Sequence, residues 1–275
     1  MKQLACICIC LGLYFTVSAQ EANKHVVDSI VQEGKALYRS EMASWYGTDI
    51  FLEVAKDQRN NIGGYFSYAD KAVTRCVFFS KDAQPQVIGS ITFDSSFNTA
   101  TAVTDTASRP FTTYEMGIYS FRKNALSEIQ KDTFFKVYKN TDLNLIPITG
   151  ETENKVYVLT GPQVSGVVVF GNDYLLTFDK KSNQLRSKKV LHKNILPIEY
   201  SKEAAFASVH THLPETGDYI TATDICTLML YEKMAQWSVH YVMSANFVSI
   251  WNCANNQLTT VTRASWDKRQ LEGKK

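Results

Sequence analysis

The residues best suited to chemistry concentrate in one stretch, VHTHLPETGDYITATDI, at positions 209 to 225. His210 and His212 are two apart at the end of an expected strand, and alternation along a strand puts such residues on one face. Both imidazoles can therefore address one ion. Asp224 comes twelve residues after His212, at the start of an expected helix, where the chain can return a carboxylate to that ion. Two nitrogens and one carboxylate oxygen form an acceptable Zn2+ set, with the fourth position left for water. Zinc held in this way lowers the pKa of the water and polarises a substrate carbonyl. Thr221, three residues before Asp224, offers a hydroxyl to a developing oxyanion. The chain has five histidines, and two of them fall here.

The same residues have plainer uses. Thr221-Ala-Thr-Asp224 is also a capping box that satisfies the first amides of a helix. A His-x-His pair also fits two strand-end side chains with no common ligand. His25, His192 and His240 have no partner in sequence and are assigned to surface or core packing.

These residues are positioned by the second half of the chain. Short β-branched runs at Lys155 to Thr160, Gly166 to Phe170, Tyr174 to Phe178 and Val190 to Ile198 lead to a strand at Ala204 to Val209. An amphipathic helix is expected from Thr223 to Gln236, with Ile225, Leu228, Met229 and Met234 inward. A meander over Val239 to Met243, Phe247 to Trp251 and Leu258 to Val261 follows. Upstream, Lys24 to Trp45 has a loose helical period interrupted by Gly34. Gly64 to Tyr68, Ala72 to Phe79 and Val87 to Phe93 read as strands, Ser95 to Arg109 as an exposed loop or edge, and Phe111 to Gln130 as a helix. The expected class is α+β: an N-terminal α+β module at 20–145, an α/β domain with a mixed sheet at 146–265, and a polar tail at 266–275.

Composition narrows the function classes. Of 275 residues, 45% are hydrophobic and 20% charged, enough apolar material for a core and too much for a disordered chain. The formal net charge of +2 lacks the basic excess of a nucleic-acid binder, so no nucleic-acid partner is expected. No internal run approaches the ~20 apolar residues of a membrane span. The first 19 residues read as a signal peptide: Lys2, an apolar stretch from Leu4 to Val17, then Val17-Ser18-Ala19 before the cut. An exported protein, periplasmic or secreted, is expected. Cleavage would remove Cys6, Cys8 and Cys10, and the remaining Cys76, Cys226 and Cys253 allow at most one disulfide.

The ordered pattern His-x-His, spacer, hydroxyl-x-x-Asp, helix resembles the JAMM (MPN+) metalloprotease family over roughly residues 150 to 262. The resemblance implies a mixed α/β fold and zinc-dependent hydrolysis of peptide, isopeptide or related amide bonds. His210, His212 and Asp224 match the family's zinc ligands, and Thr221 stands where the family has Ser. The spacer between His212 and Thr221 is one residue longer than usual. The family's base, a Glu on an earlier strand, is best matched by Gln163, which cannot accept a proton at neutral pH. Glu151, Glu153, Glu199 and Glu215 are candidate replacements, with Glu215 nearest in sequence to His212. The resemblance thus implies a hydrolase acting on a peptide or protein. Its alternative is an inactive pseudoenzyme or binding protein that keeps the metal pocket.

Overall fold

The computed structural model describes residues 2–200 and 206–272, with side chains described from 24 onward. The expected signal peptide, 1–19, and Cys6, Cys8 and Cys10 lie outside the residues whose side chains are described, as does the start of the expected strand at 204. The fold is α+β.

Helix α1 (Lys2–Val54) buries Gly34, Leu37, Glu41, Ser44 and Phe51, a spacing of three, four or seven that keeps them on one face. Gly34 does not interrupt it. A Cβ there would lie 2.7 Å from the Ile225 side chain, so this glycine marks a close helix–helix approach. Four strands follow, β1 (Ile62–Asp70), β2 (Val73–Ser80), β3 (Val87–Phe93) and the short β4 (Val103–Asp105), paired in chain order as an antiparallel sheet. The segment expected as loop or edge therefore supplies the edge strand β4. Helix α2 (Thr113–Lys131) packs Ile118, Phe121 and Ala125 inward.

The second sheet is an antiparallel meander of β5 (Thr141–Thr149), β6 (Glu153–Pro162), β7 (Val167–Asp179) and β8 (Leu185–Glu199). The two runs expected at 166–170 and 174–178 are one strand, β7, carried through an irregularity after Gly171. The third sheet is mixed. β9 (Ala207–Thr211) pairs parallel with β10 (Val239–Met243), joined through α3 (Ala222–Ala235), and β11 (Phe247–Asn252) and β12 (Gln257–Thr262) add antiparallel. Helix α4 (Arg263–Glu272) occupies most of the expected polar tail and buries no residue. No helix among the described residues is long and apolar enough to cross a membrane.

The expected division near 145 falls inside β5. One apolar core joins Phe66, Val77 and Phe79 of the first sheet to α2 and to Val156, Val158, Leu176 and Phe178 of the second. A second core packs Ala43 and Phe51 of α1 on the other face of the first sheet, against Cys76, Phe78 and Ile91. Leu37 of α1 reaches Tyr157, Leu159, Ala222 and Cys226, tying α3 to the second sheet. Each fully buried large side chain contributes about 1.5–3 kcal/mol. Helix α3 is enclosed by α1, β7 and the third sheet, so every residue from Ala222 to Leu228 is buried and its early turns lack a polar face. Met234, expected inward, is 47% exposed because the end of α3 has left that enclosure. Cys76, Cys226 and Cys253 are free and buried.

Candidate metal centre

β9 presents His210 inward between exposed Val209 and Thr211. The His212 amide donates to the Met243 carbonyl at 2.9 Å, continuing the parallel pairing one residue beyond β9. Alternation therefore persists and both histidines face the same side, as their spacing requires. α3 brings Asp224 to them. Thr221 is its N-cap, accepting from the Asp224 amide at 3.1 Å, while the Asp224 carboxylate accepts from the Thr221 amide at 2.9 Å. The capping box and the cluster use the same residues, so the two sequence readings coexist.

A fourth residue comes from a region that sequence spacing does not connect to the motif. At the β7–β8 irregularity the register shifts so that Asp173 faces His192. Gly171 has φ +78° there, and a Cβ on it would collide with the Asn194 carbonyl oxygen, so the bend requires glycine. Buried Asn172, also left-handed at φ 51°, pins the bend by donating to the Lys136 carbonyl at 2.9 Å and Thr160 Oγ1 at 2.8 Å. Bulges re-aim side chains, and this one aims His192 at His212.

The ligand atoms of His192, His210, His212 and Asp224 all lie within 4.8 Å of one another. His212 Nε2 is 3.1 Å from each of His192 Nε2, His210 Nε2 and Asp224 Oδ2. His192 Nε2 and His210 Nε2 are each 3.6 Å from an Asp224 oxygen. One ring nitrogen carries either a single proton or a single lone pair, so it cannot satisfy three such neighbours. A cation at their centre can. Metal–ligand bonds of 2.0–2.1 Å in a tetrahedron give ligand–ligand edges of about 3.3–3.4 Å, and these separations bracket that value. This buried group could hold a metal ion.

The outer contacts suit that use. His192 Nδ1 donates to Asp173 at 2.8 Å, and its backbone amide donates to the same oxygen at 2.8 Å. His210 Nδ1 is 2.8 Å from His240 Nε2, and His240 Nδ1 is 2.7 Å from Ser208 Oγ. With each Nδ1–H donating outward, the Nε2 lone pairs of His192 and His210 point at the centre, as bound imidazoles require. His212 Nδ1 is buried without a partner among the described residues.

The local electrostatics divide the histidines. Burial holds His210 down to about 4, only partly opposed by Asp224. Burial and the neighbouring His210 hold His240 down to about 3. Burial also opposes charge on His192, but Asp224 and Asp173 outweigh it and raise the group to about 9. Asp224 is held well below the usual carboxylate range because His192, His210 and His212 overcome the cost of its burial.

The other expected site residues are placed differently. Gln163 is exposed just past β6, where its side chain donates to Asp142 at 2.8 Å. Glu215 is exposed and lines a neighbouring hollow with Phe134, Lys136 and Lys193. The Thr221 hydroxyl donates to Asp224 Oδ2 at 2.8 Å, so its proton serves the ligand and is not free for an oxyanion. A cleft of about 70 Å³ reaches His192 and His210, between Leu196 of β8 and Leu213, and among the described residues no carboxylate lines it. Sequence reasoning missed His192, Asp173 and His240. The available signal was the Gly171-Asn172-Asp173 interruption between two β runs, a composition typical of a bulge.

Set against protein-family models, curated proteins and solved structures, the chain matches none of them.

Proposed function

We propose that this chain is an exported, JAMM-like protein that holds Zn2+ through His192, His210, His212 and Asp224 as a closed centre, and works as a binding or structural protein rather than a peptidase. The reading rests on the convergence of those four ligand atoms within 4.8 Å of one another, three of them 3.1 Å from His212 Nε2. Three imidazoles and a carboxylate favour zinc over magnesium or calcium, which prefer all-oxygen shells. Four protein ligands describe a structural site, whereas a catalytic site leaves one position for water. On this reading His192 takes the fourth position, which the family resemblance would leave to water. Among the described residues no carboxylate lines the cleft to act as base, and loss of a base costs about 10²–10⁴ in rate.

Elemental analysis of protein purified without chelator tests this, with the His210→Ala/His212→Ala variant as control. Near one zinc per chain, lost in the variant, is the expected result; no metal in either after zinc is supplied would mean that the four residues hold no metal. X-ray absorption should then show three imidazoles and a carboxylate.

The hydrolase reading for peptide, isopeptide or related amide bonds keeps one supporting observation, the cleft that reaches His192 and His210. Bound zinc would supply Lewis acidity there. Turnover of peptide substrates by the zinc-loaded chain, absent in Asp224→Ala, would favour it over the closed centre.

A further inference from the structure

A second cavity, about 190 Å³, lies where α1, β1, β2, α2 and β5 meet, and it shares no lining residue with the metal centre. It exists because small residues meet where larger ones would fill the space. Ala36 and Ser40 of α1 face Ser67, Ala69 and Thr74 of the first sheet. Farther along, the same helix packs Phe51 on Phe78 with ring centroids 4.1 Å apart. The sheet surface under α1 thus changes from aromatic to hydroxyl-bearing within a few residues.

The lining has more donors than its internal contacts use. Ser40, Ser67 and Thr74 are buried, and the Thr74 hydroxyl has no hydrogen-bond partner among the described residues. Tyr114 and Thr149 share one hydrogen bond of 2.9 Å, which leaves one of their two hydroxyl protons free. Ser67 is engaged within the protein, its hydroxyl with Ser44 at 2.8 Å and its carbonyl accepting from the Ser40 hydroxyl at 3.4 Å.

Charge decides what those donors suit. Arg39 lines the cavity, and among the described residues no acidic one does. Three acids of the surrounding elements are paired, Glu33 with Lys155 at 2.7 Å, Asp70 with Arg75 at 3.3 Å, and Glu115, behind Tyr68, with Arg109 at 2.7 Å, while Glu41, next to Ser40 on α1, is buried and does not line the cavity. Among the described residues Arg39 has no ion-pair partner. A guanidinium presents a planar fork of donors that matches an oxyanion. The volume, roughly that of six waters, admits a small group and excludes a folded partner.

We propose that this cavity is a ligand site for a small oxyanion, a phosphate or carboxylate group, gripped by Arg39 and seated on the hydroxyls of Thr74 and the Tyr114–Thr149 pair. The site is independent of the metal centre.

Titration of the ¹⁵N-labelled full chain with inorganic phosphate, and separately with acetate, tests it. Saturable amide shifts at Ala36, Ala69 and Thr74 are expected with at least one anion, and the stronger response identifies the class. Arg39→Gln and Thr74→Val, both suited to keeping the fold because one is exposed and the other nearly isosteric, should each weaken binding by about tenfold. Far-UV circular dichroism verifies that each variant is folded. Absence of saturable shifts with either anion overturns the proposal, as does binding that either folded variant leaves unchanged.

Discussion

Two helices of this molecule begin in the same way and are put to different uses. α2 opens with Thr112 and Glu115, α3 with Thr221 and Asp224, and each pair closes a complete capping box. Both acids are 1% exposed. Glu115 meets a permanent cation: Arg109 grips it through two bonds of 2.7 and 2.8 Å, and Tyr68 adds a third at 3.2 Å. Asp224 meets imidazoles, which are neutral when unprotonated and carry Nε2 lone pairs to a common point. Arg109 completes the α2 corner with a permanent positive charge, while the α3 corner gathers three imidazoles around the carboxylate, a set that could hold a metal ion. The motif is shared, so the residues that converge on it decide whether a capped acid is structural or a ligand.

The sharpest test removes each acid in turn. Asp224→Asn should take zinc content from near one per chain to near zero, while Glu115→Gln leaves it unchanged. Saturating zinc should stabilise the native chain by about 4 kcal/mol at a thousandfold excess over Kd, an increment that Asp224→Asn abolishes. Equal metal loss in both variants would mean that the fold, and not the ligand, had failed.

Glu115→Gln should cost about 2–3 kcal/mol in urea unfolding, the low side for a buried pair because Arg109 is one-third exposed. Acid titration should show the same contact. Burial raises the Glu115 pKa, but Arg109 and the Thr112 amide outweigh it and hold the group at about 2, below its ordinary 4.5. Its stabilisation is therefore complete above pH 4.5 and lost as pH falls through about 2. The Glu115→Gln variant should have a flatter stability profile across that window.

Asp173→Asn should weaken zinc binding ten- to a hundredfold through the imidazole it orients, read by competition with a coloured chelator. Smallest are the caps. Thr112→Val and Thr221→Val should each cost about 1 kcal/mol, but only Thr221→Val should also lower zinc affinity, because its hydroxyl donates to Asp224.

Much of the fold was legible because its signals are local. The β-branched runs of β6, the boundaries of β3 and the apolar period of α2 follow from neighbouring residues, and so do His210, His212 and Asp224. The missing parts depend on contacts across the chain. His192 carries no mark in its own neighbourhood, since Leu191 and Lys193 read as ordinary strand. Its role appears once the turn at Gly171 has shifted β8 in register. Gly34 read as an interruption because its reason is Ile225. Gln163 was matched to a base position by distance along the chain, and its actual partner is Asp142, brought alongside by the β5–β6 pairing.

The contact between Gly34 and Ile225 also bears on the order of assembly. It joins positions about 190 residues apart, and closing so long a loop is entropically costly and slow. During synthesis, α1 and the first two sheets can emerge and pair before the segment that carries Asp224 exists. Until α3 docks in the groove on α1, Cys226 lacks its cover and the three imidazoles lack their carboxylate. Asp224 is the last of the four residues to be synthesised, so a metal ion held by all four would mark chains whose first helix has already met their last third.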